Sequence, residues 1–396
     1  MSDSAHAGLV FSVLQGRAGF EALRVRWQAL ADSLPHATYL QQPGWIAGYL
    51  DMLGGDERSL RFVTASGKNG QLLAVLVLVR RPGRARGLLP ALEMVHGPHM
   101  VLADLVADPG NTLLLPAMLD WLSRQRAVRW AVLRLPAVCA GSTLATLLQA
   151  HPTPRSQQTL RTHSAWLDCS GGIDQALQTV SKSFRTNLGR LARRANAQGE
   201  LAYRVVSAPD ELDDAFDAFL EVESSGWKRD SGTAIAQDDR LVAFYRRLVR
   251  EFGARGACRI HLLTLDGQPV AAQFGLLSDR QLNLLKIGFS QAHAPLAPGN
   301  LIMLRTIEQV CADPDVDRLS FVTDPLWSQA WRPHRTPVDH VTVYPSTLVG
   351  DVLFRAALWR ERRRARTPQP TEEGLPAGPM VASAQEASAE VEALRA

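Results

Sequence analysis

The sequence predicts an α/β protein with mixed sheets, built from two copies of one unit. Its length of 396 residues suits two domains of ordinary size. A strand–turn–strand pattern occurs at 61–81 and again at 259–280, where Asp266-Gly267 is a strong hairpin turn signal. A Pro-Gly-Asn tripeptide follows each hairpin, at 109–111 and at 298–300, and leads into a helical apolar pattern. The same order of elements occurring twice indicates an internal repeat.

The other elements follow from the spacing of apolar residues. Helical spacing predicts helices before the two hairpins, at Phe20–Ala31, Gly44–Leu53, Asp210–Glu223 and Asp238–Glu251. Apolar runs predict strands that begin at Arg129 and Arg318, and further strands at His163–Asp168, Leu282–Ser290 and Asp339–Tyr344. The polar, proline-containing segment 151–158 is predicted to link the halves. We therefore expect domains at 1–158 and 159–347, a basic amphipathic helix at 348–366 and a disordered tail at 367–396.

The composition excludes several classes of protein. Hydrophobic residues make up 46% and charged residues 21%, which is typical of a globular chain and not of a disordered or collagenous one. The four cysteines have no CxxC spacing, so neither a zinc site nor a disulfide framework is expected. The longest apolar run, Leu72–Val79, is too short to span a membrane. No signal peptide is recognisable, so we expect a cytoplasmic protein, with the inner face of the membrane as the alternative location.

The charge distribution favours an anionic ligand. The net charge is +4, but the last thirty residues are acidic, so the rest of the chain is more basic than this total. Lysine and arginine residues share one face of a predicted helix at 181–197, which suits a solvated surface, an anionic acceptor or RNA. No aromatic residues alternate with these arginines, so nucleic acid is not the expected partner. The helix Leu348–Arg366 suits peripheral contact with an anionic membrane, or a plain surface role.

Common cofactor and catalytic motifs are absent. The chain has no GxGxxG, no Walker GxxxxGK[ST], no HExxH and no GxSxG. The best remaining candidate is Pro298-Gly299-Asn300, because a helix start presents about four unpaired N–H groups and a favourable dipole to an anion. The alternative is that this tripeptide is only a turn and a helix cap.

The order of elements over 210–344 resembles the GNAT acyltransferase superfamily. Four features are similar to the FemAB-like branch, and within it to the CelD/cellulose-biosynthesis acetyltransferase family. They are the sequence Glu223-Ser-Ser-Gly-Trp227-Lys228, the basic segment from Ser181, the strand ending Gly288-Phe289 and the Pro298-Gly299 turn. The resemblance covers roughly 181–331 and is faint in the first half. Because FemAB-like proteins carry two GNAT-like units, it implies two tandem GNAT-like domains.

The resemblance also implies a function. It predicts an acyl-CoA-dependent N- or O-acyltransferase, with acetyl-CoA or another acyl-CoA as co-substrate and no metal, that acts on a saccharide or cell-envelope precursor. A Fem-type transferase that uses aminoacyl-tRNA is the first alternative. A non-catalytic accessory protein of polysaccharide synthesis is the second. The acceptor and the oligomeric state are not predicted.

Candidate site residues follow from these expectations. The catalytic candidates are Glu223 and Asp324 as general base and Tyr245 as the acid for the leaving thiolate. The cofactor-binding candidates are Gly288, Phe289, Pro298, Gly299 and Asn300, and the substrate-binding candidates are Trp227, Lys228, Lys286 and Trp327. Structural interpretations stay open: a solvated helix end for Glu223, a turn at Asp324, and core packing for Tyr245 and Trp227. Trp327-Ser328 also stands where many relatives have Tyr-Lys, so the acceptor has changed or activity is lost.

Overall fold

The computed structural model describes residues 8–54, 57–84, 89–125, 128–225 and 234–366. The predicted tail at 367–396 lies outside these residues. The strands are β1 Leu9–Gln15, β2 Leu60–Gly67, β3 Leu72–Arg84, β4 Leu89–Met94, β5 Val106–Ala107, β6 Val132–Cys139, β7 Ser156–Asp168, β8 Leu201–Val206, β9 Cys258–Leu265, β10 Gln268–Ser278, β11 Gln281–Phe289, β12 Arg318–Ser320 and β13 His334–Val343.

Helices occur between these strands in the order that the sequence predicts. They are α1 Gly16–Ser33, α2 Pro43–Leu53, α3 Leu114–Arg124, α4 Thr143–Ala150, α5 Gly172–Ala176, α6 Lys182–Asn196, α7 Leu212–Ser224, α8 Asp239–Gly253, α9 Pro298–Ala312 and α10 Leu348–Arg366. Short 3₁₀ helices occur at Tyr39–Gln41, Ile235–Gln237, Gln291–Leu296 and Leu326–Trp331. Both basic amphipathic segments are helical, as predicted.

The described residues form two compact units that are not continuous in sequence. The first contains residues 8–43, 57–163 and 336–366, and the second contains 44–54 and 164–335. The predicted boundaries at 158 and 347 differ from this division, because α2 belongs to the second unit and most of β13, with α10, belongs to the first. Within the second unit, Trp45 of α2 packs edge-on against Phe244 of α8 at 5.5 Å, and Asp51 accepts a hydrogen bond from Arg247 at 2.8 Å.

The two units repeat one sheet topology. In the first, the strand order is β1-β2-β3-β4-β6-β13, and in the second it is β8-β9-β10-β11-β12-β7. The pairs β4–β6 and β11–β12 are parallel, and the other neighbours in these orders are antiparallel. The sheet of the first unit therefore takes its last strand, β13, from a segment that follows the second unit in the chain. The predicted repeat of one α/β unit is confirmed.

The turn of the second hairpin illustrates how the sequence specifies this topology. Asp266 and Gly267 connect β9 to β10 with φ angles of 49° and 79°. Positive φ at both central residues is the geometry that matches the right-handed twist of paired strands, and Asp-Gly adopts it at low cost. Alternate residues on these strands then reach the core, where Ile260 and Leu262 are buried.

The segment 151–158 is less well predicted, since β7 begins at Ser156 and extends the strand expected at His163–Asp168.

Candidate functional site

The second unit has a gap in its sheet between β11 and β12. The two strands pair only from Gln281 opposite Arg318 to Asn283 opposite Ser320, whereas the pairing of β11 with β10 continues to Phe289. Directly after β12 the chain turns at Val322, whose φ is 63°. A β-branched residue in this left-handed region is strained, and such strain is concentrated at functional sites. The second half of β11 thus borders an opening in the sheet.

The backbone N–H of Phe289, on β11, lies on the side of this opening. Ser290 donates its N–H to the carbonyl of Val270 at 2.8 Å, continuing the ladder with β10. Because N–H groups on a strand alternate between its two edges, the N–H of Gly288 also points toward β10 and that of Phe289 points away from it. Of the two residues predicted to polarise a thioester carbonyl, Phe289 is therefore the one whose N–H lies on the open edge.

Gly288 lies against the end of α7. A Cβ atom added to Gly288 would come within 2.8 Å of the Cα of Glu223, so glycine is required for this close approach. Glu223 is only 2% exposed, and its Oε2 accepts a hydrogen bond from the N–H of Ile235 at 2.9 Å. The interpretation of Glu223 as a solvated helix-end charge is therefore wrong. Its carboxylate is buried beside the splayed half of β11.

The side chain of Lys286 shares this face of the sheet. Residues two apart on a strand point to the same side, so Lys286 and Gly288 both face α7, while Phe289 faces α9. Phe289 accordingly packs in the cluster that contains Leu296 and Leu301. Lys286 is half-buried on an otherwise apolar strand. The predicted base and lysine thus lie on one face of β11, and the predicted anion-binding turn lies on the other.

The turn before α9 has the geometry of an anion site with fewer donors than predicted. Ala297 adopts φ 48°, and its carbonyl accepts hydrogen bonds from Asn300 at 3.0 Å and Leu301 at 3.2 Å. Pro298 has no N–H. The sequence predicted about four unpaired N–H groups at this helix start. In the described part of the chain, the N–H of Gly299 is the first-turn donor left for a ligand. A Cβ atom on Gly299 would lie 3.5 Å from the ring of Phe289, so the turn adjoins the splayed strand.

Helix α6 adds positive charge to this turn. Its apolar side, with Leu191 and Ala195, packs in the same cluster as Leu296, and its arginines are exposed. Arg194 Nη1 is within 3.5 Å of the carbonyl oxygen of Pro295, four residues before Gly299. The sequence identified the basic face of this helix but did not connect it with the turn. No local pattern could have shown this contact, because the two segments are about a hundred residues apart.

Asp324 and Trp327 follow β12 on the other side of the opening. Asp324 Oδ2 lies 3.0 Å from Nε of Arg335, and its buried Oδ1 has no hydrogen-bond partner among the described residues. Asp324 is thus an ion-paired carboxylate, not only a turn residue. The ring of Trp327 packs edge-on against Phe321 at 5.3 Å. Ser328 is fully buried and donates its Oγ–H to the carbonyl of Pro325 at 2.7 Å, so it closes the turn.

Part of the chain matches a known family model. Residues 182–327 match the model described as Acetyltransferase (GNAT) domain. We refer to this segment as the GNAT domain. The match covers rather more than a third of the chain and includes the described candidates from Glu223 to Trp327. No curated protein sequence matches the chain.

Solved structures share the fold over most of the chain. FemX has a TM-score of 0.57 at 12% identity, covering 84% of this chain and 98% of its own. L-PGS from Bacillus licheniformis has a TM-score of 0.52 at 11% identity, covering 84% and 96%. The C-terminal domain of a putative lysylphosphatidylglycerol synthetase from Agrobacterium fabrum has a TM-score of 0.50 at 13% identity, covering 85% and 97%. These similarities confirm the predicted fold class, two tandem GNAT-like domains in a FemAB-like arrangement.

The remaining predicted residues of the GNAT domain do not all join the site. Tyr245 is 1% exposed, and its ring meets Phe244 at 4.9 Å and Phe274 at 5.6 Å in edge-on contacts. These contacts suit core packing, and Tyr245 as the acid for a leaving thiolate stays a prediction. Trp227 and Lys228 lie outside the described residues.

A buried polar network, not predicted from the sequence, connects α9 of the GNAT domain to its sheet. The hydroxyl of Tyr203 is 2.7 Å from Nδ1 of His261, and Thr306 donates its Oγ1–H to Gln273 at 2.8 Å. Burial lowers the pKa of His261 to about 3, with a smaller contribution from the Arg259 charge, so the imidazole is neutral. Burial also raises the pKa of the Tyr203 phenol. The network fixes the helix that begins at the Pro298-Gly299 turn.

Neither a cluster of metal ligands nor a membrane-spanning helix occurs among the described residues. Within them, no group of three or more His, Cys, Asp or Glu side chains is arranged to hold a metal ion. None of the described helices combines the length and the apolar character that a membrane crossing requires.

Proposed function

We propose that this protein transfers an acyl group from acyl-CoA to an amine or hydroxyl of a saccharide or cell-envelope precursor, with acetyl-CoA as the first candidate donor. The observation that supports this most directly is the opening between β11 and β12, bordered by the N–H of Phe289 and by the Pro298-Gly299 turn. The proposal also rests on the resemblance to the CelD/cellulose-biosynthesis branch, which is sequence-based.

The acyl donor would bind along the α9 face of β11. Its phosphates would lie at the N-terminus of α9, where the Gly299 N–H, the helix dipole and the Arg194 guanidinium offer positive charge. The N–H of Phe289 would donate to the thioester oxygen, which gains negative charge in the tetrahedral intermediate. An oriented backbone donor of this kind stabilises the developing oxyanion without reorganising.

The acceptor would approach from the α7 face. Its nitrogen or oxygen attacks the thioester carbon, and the proton of the acceptor passes to a base. The C–S bond then breaks, so the acyl group stays on the acceptor and CoA leaves as the thiolate. Glu223 is the better placed base, because it lies beside Gly288 on this face. One of its oxygens is held by the Ile235 N–H. Lys286, on the same face, would attract an anionic acceptor such as a phosphorylated sugar.

Two other functions remain as rivals. A Fem-type aminoacyl-tRNA-dependent transferase is favoured by the similarity to the FemX fold and by the exposed arginines of α6. A non-catalytic accessory role is favoured by the Trp327-Ser328 departure, because a buried Ser328 cannot supply the charge of a lysine.

Calorimetric titration separates these functions. The purified protein would be titrated with acetyl-CoA, with free CoA and with ATP as the nucleotide control. We expect micromolar binding of acetyl-CoA and CoA and much weaker binding of ATP. Folded protein that binds none of them would contradict the proposal and favour charged tRNA or an accessory role. Acetyl-CoA binding without acyl transfer to any amine or sugar acceptor would favour the accessory role.

A further inference from the structure

The acidic residues of helix α10, at the end of the first unit, are paired with side chains of that unit. Asp351 forms an ion pair with Arg155, and Glu361 accepts a hydrogen bond from Gln157 at 2.9 Å. These are the two acidic residues of the helix. The helix is further anchored by Phe354, whose ring lies 5.6 Å from that of Tyr344.

One side of α10 is exposed, and it is apolar at one end and basic at the other. Leu348 is 86% exposed, Val352 is 67% exposed and Trp359 is 57% exposed. Because these positions are four, seven or eleven apart, they lie on one stripe of the helix. Arg355 and Arg362 continue the same stripe at helical spacing, and both are exposed. We define the exposed stripe as these five residues.

Neighbouring residues strengthen both properties of the exposed stripe. Val349 is 51% exposed beside its apolar end. Arg360 and Arg363 are exposed beside its basic end, and the Arg363 guanidinium lies 4.6 Å from the centre of the Trp359 ring. Tryptophan combined with arginine at a helix surface is typical of the interface between lipid headgroups and acyl chains.

We propose that the exposed stripe of α10 is a docking surface for an anionic lipid bilayer. Charge complementarity decides the occupant, because both acids of this helix are paired with side chains of the first unit, while Arg355, Arg360, Arg362 and Arg363 are exposed. The apolar side chains would enter the headgroup boundary while the arginines contact lipid phosphates. The proposal does not depend on the acyl-transfer proposal, and it gives the protein a place at the surface where envelope precursors are assembled.

Vesicle co-sedimentation of the full chain tests this. One set of vesicles contains phosphatidylcholine only, and the other contains phosphatidylcholine with phosphatidylglycerol. We expect sedimentation with the second set, little with the first, and loss of binding at high salt. Failure to bind the anionic vesicles, or equal binding to both sets, would overturn the proposal.

Two variants with matched controls assign the binding to α10. Arg360→Gln with Arg362→Gln should weaken binding to the anionic vesicles about 25-fold, taking about fivefold for each arginine. Arg185→Gln with Arg190→Gln removes the same charge from α6 and should have little effect. Val352→Ser should weaken binding about tenfold, whereas Val25→Ser, at an 81% exposed valine of α1, should not.

The control variants distinguish an anionic membrane from other partners of the exposed stripe. If the α6 variant weakens binding as much as the α10 variant, the attraction is a general charge effect and the proposal is wrong. If the α10 variants change the elution volume of the protein in gel filtration but not vesicle binding, the stripe is a contact between copies of this chain, and the proposal is also wrong.

Discussion

The Cα of Glu223 would lie only 2.8 Å from a Cβ atom placed on Gly288, and the N and Cβ of Glu223 would lie within 3.2 Å. Two of these three atoms are backbone atoms, so they cannot move aside as the end of a flexible side chain can. This contact holds the end of α7, and with it Glu223, against the half of β11 that borders the opening in the sheet.

Gly288→Ala should therefore destabilise the protein. We expect a loss of about 1–3 kcal/mol in the free energy of unfolding, because the added methyl group forces α7 away from β11. Urea denaturation measures this. Gly299→Ala is the matched control, since its methyl group would lie 3.5 Å from the Phe289 ring, an ordinary contact. Equal stability of the two variants would show that α7 can move away from β11 without a loss in the free energy of unfolding.

Gly299→Glu should abolish acyl-CoA binding without unfolding the protein. The new carboxylate adds negative charge at the turn where phosphates would bind, so we expect affinity to fall about tenfold or more. Calorimetry measures the affinity, and circular dichroism checks the fold. Gly110→Glu makes the same change in the corresponding Pro-Gly-Asn of the first unit and should leave affinity unchanged. An unaffected Gly299→Glu variant would remove this turn from the cofactor site.

Glu223→Gln should slow turnover while the fold is kept. A glutamine carbonyl can still accept the hydrogen bond from Ile235, but the side chain can no longer take a proton. We expect kcat to fall about 100-fold or more, with unchanged affinity for acetyl-CoA. Release of free CoA measures the rate. Asp324→Asn is the parallel variant for the second candidate, and full activity in both would refute the assignment of the base.

Stability at mildly acidic pH should depend on His261. Its pKa in the folded protein is about 3, below the ordinary 6.5, so as the pH falls the unfolded chain takes up the proton first and stability is lost. Between pH 7 and pH 5 the free energy of unfolding should fall by about 2 kcal/mol on account of His261, since each pKa unit corresponds to about 1.4 kcal/mol. Urea denaturation of the wild type and of His261→Asn at both pH values measures the difference. The variant should lose about 2 kcal/mol less than the wild type, and parallel losses would argue against a buried neutral imidazole.

Ser328→Lys should unfold or strongly destabilise the protein, although it restores the Lys of the family pattern that the sequence resembles. Ser328 is fully buried and bonded to the carbonyl of Pro325, so a lysine there would bury an ammonium group. We expect a loss of about 2 kcal/mol or more, compared with about 1 kcal/mol for Ser328→Ala, which removes only the hydrogen bond. A stable lysine variant with gained activity would instead show that the departure from the family pattern is functional.

Local patterns predicted much of the fold. The Asp266-Gly267 turn, the α9 helix after Pro298 and the amphipathic α6 and α10 helices all occur as expected, because turn chemistry and hydrophobic period act over a few residues. The order of these elements was enough to predict the GNAT-like unit that the family match supports.

Other features depend on contacts between distant residues. The place of β13 in the sheet of the first unit follows from its pairing with β6, which apolar runs do not specify. The position of Tyr245 in the core could not be separated from an active-site position, because both suit an apolar helix face. Arg194 reaches the turn before α9 only because Leu191 and Leu296 pack in one cluster.

By itself, the sequence determined the repeated unit, the hairpins, the glycine turn and the two basic helices, since each depends on the conformational preferences of neighbouring residues. Only the tertiary structure decided which candidates meet. It brought Glu223 against Gly288, turned the N–H of Phe289 toward the opening and buried Ser328. These relationships arise from close packing and strand pairing between segments far apart in the chain, where no local preference acts.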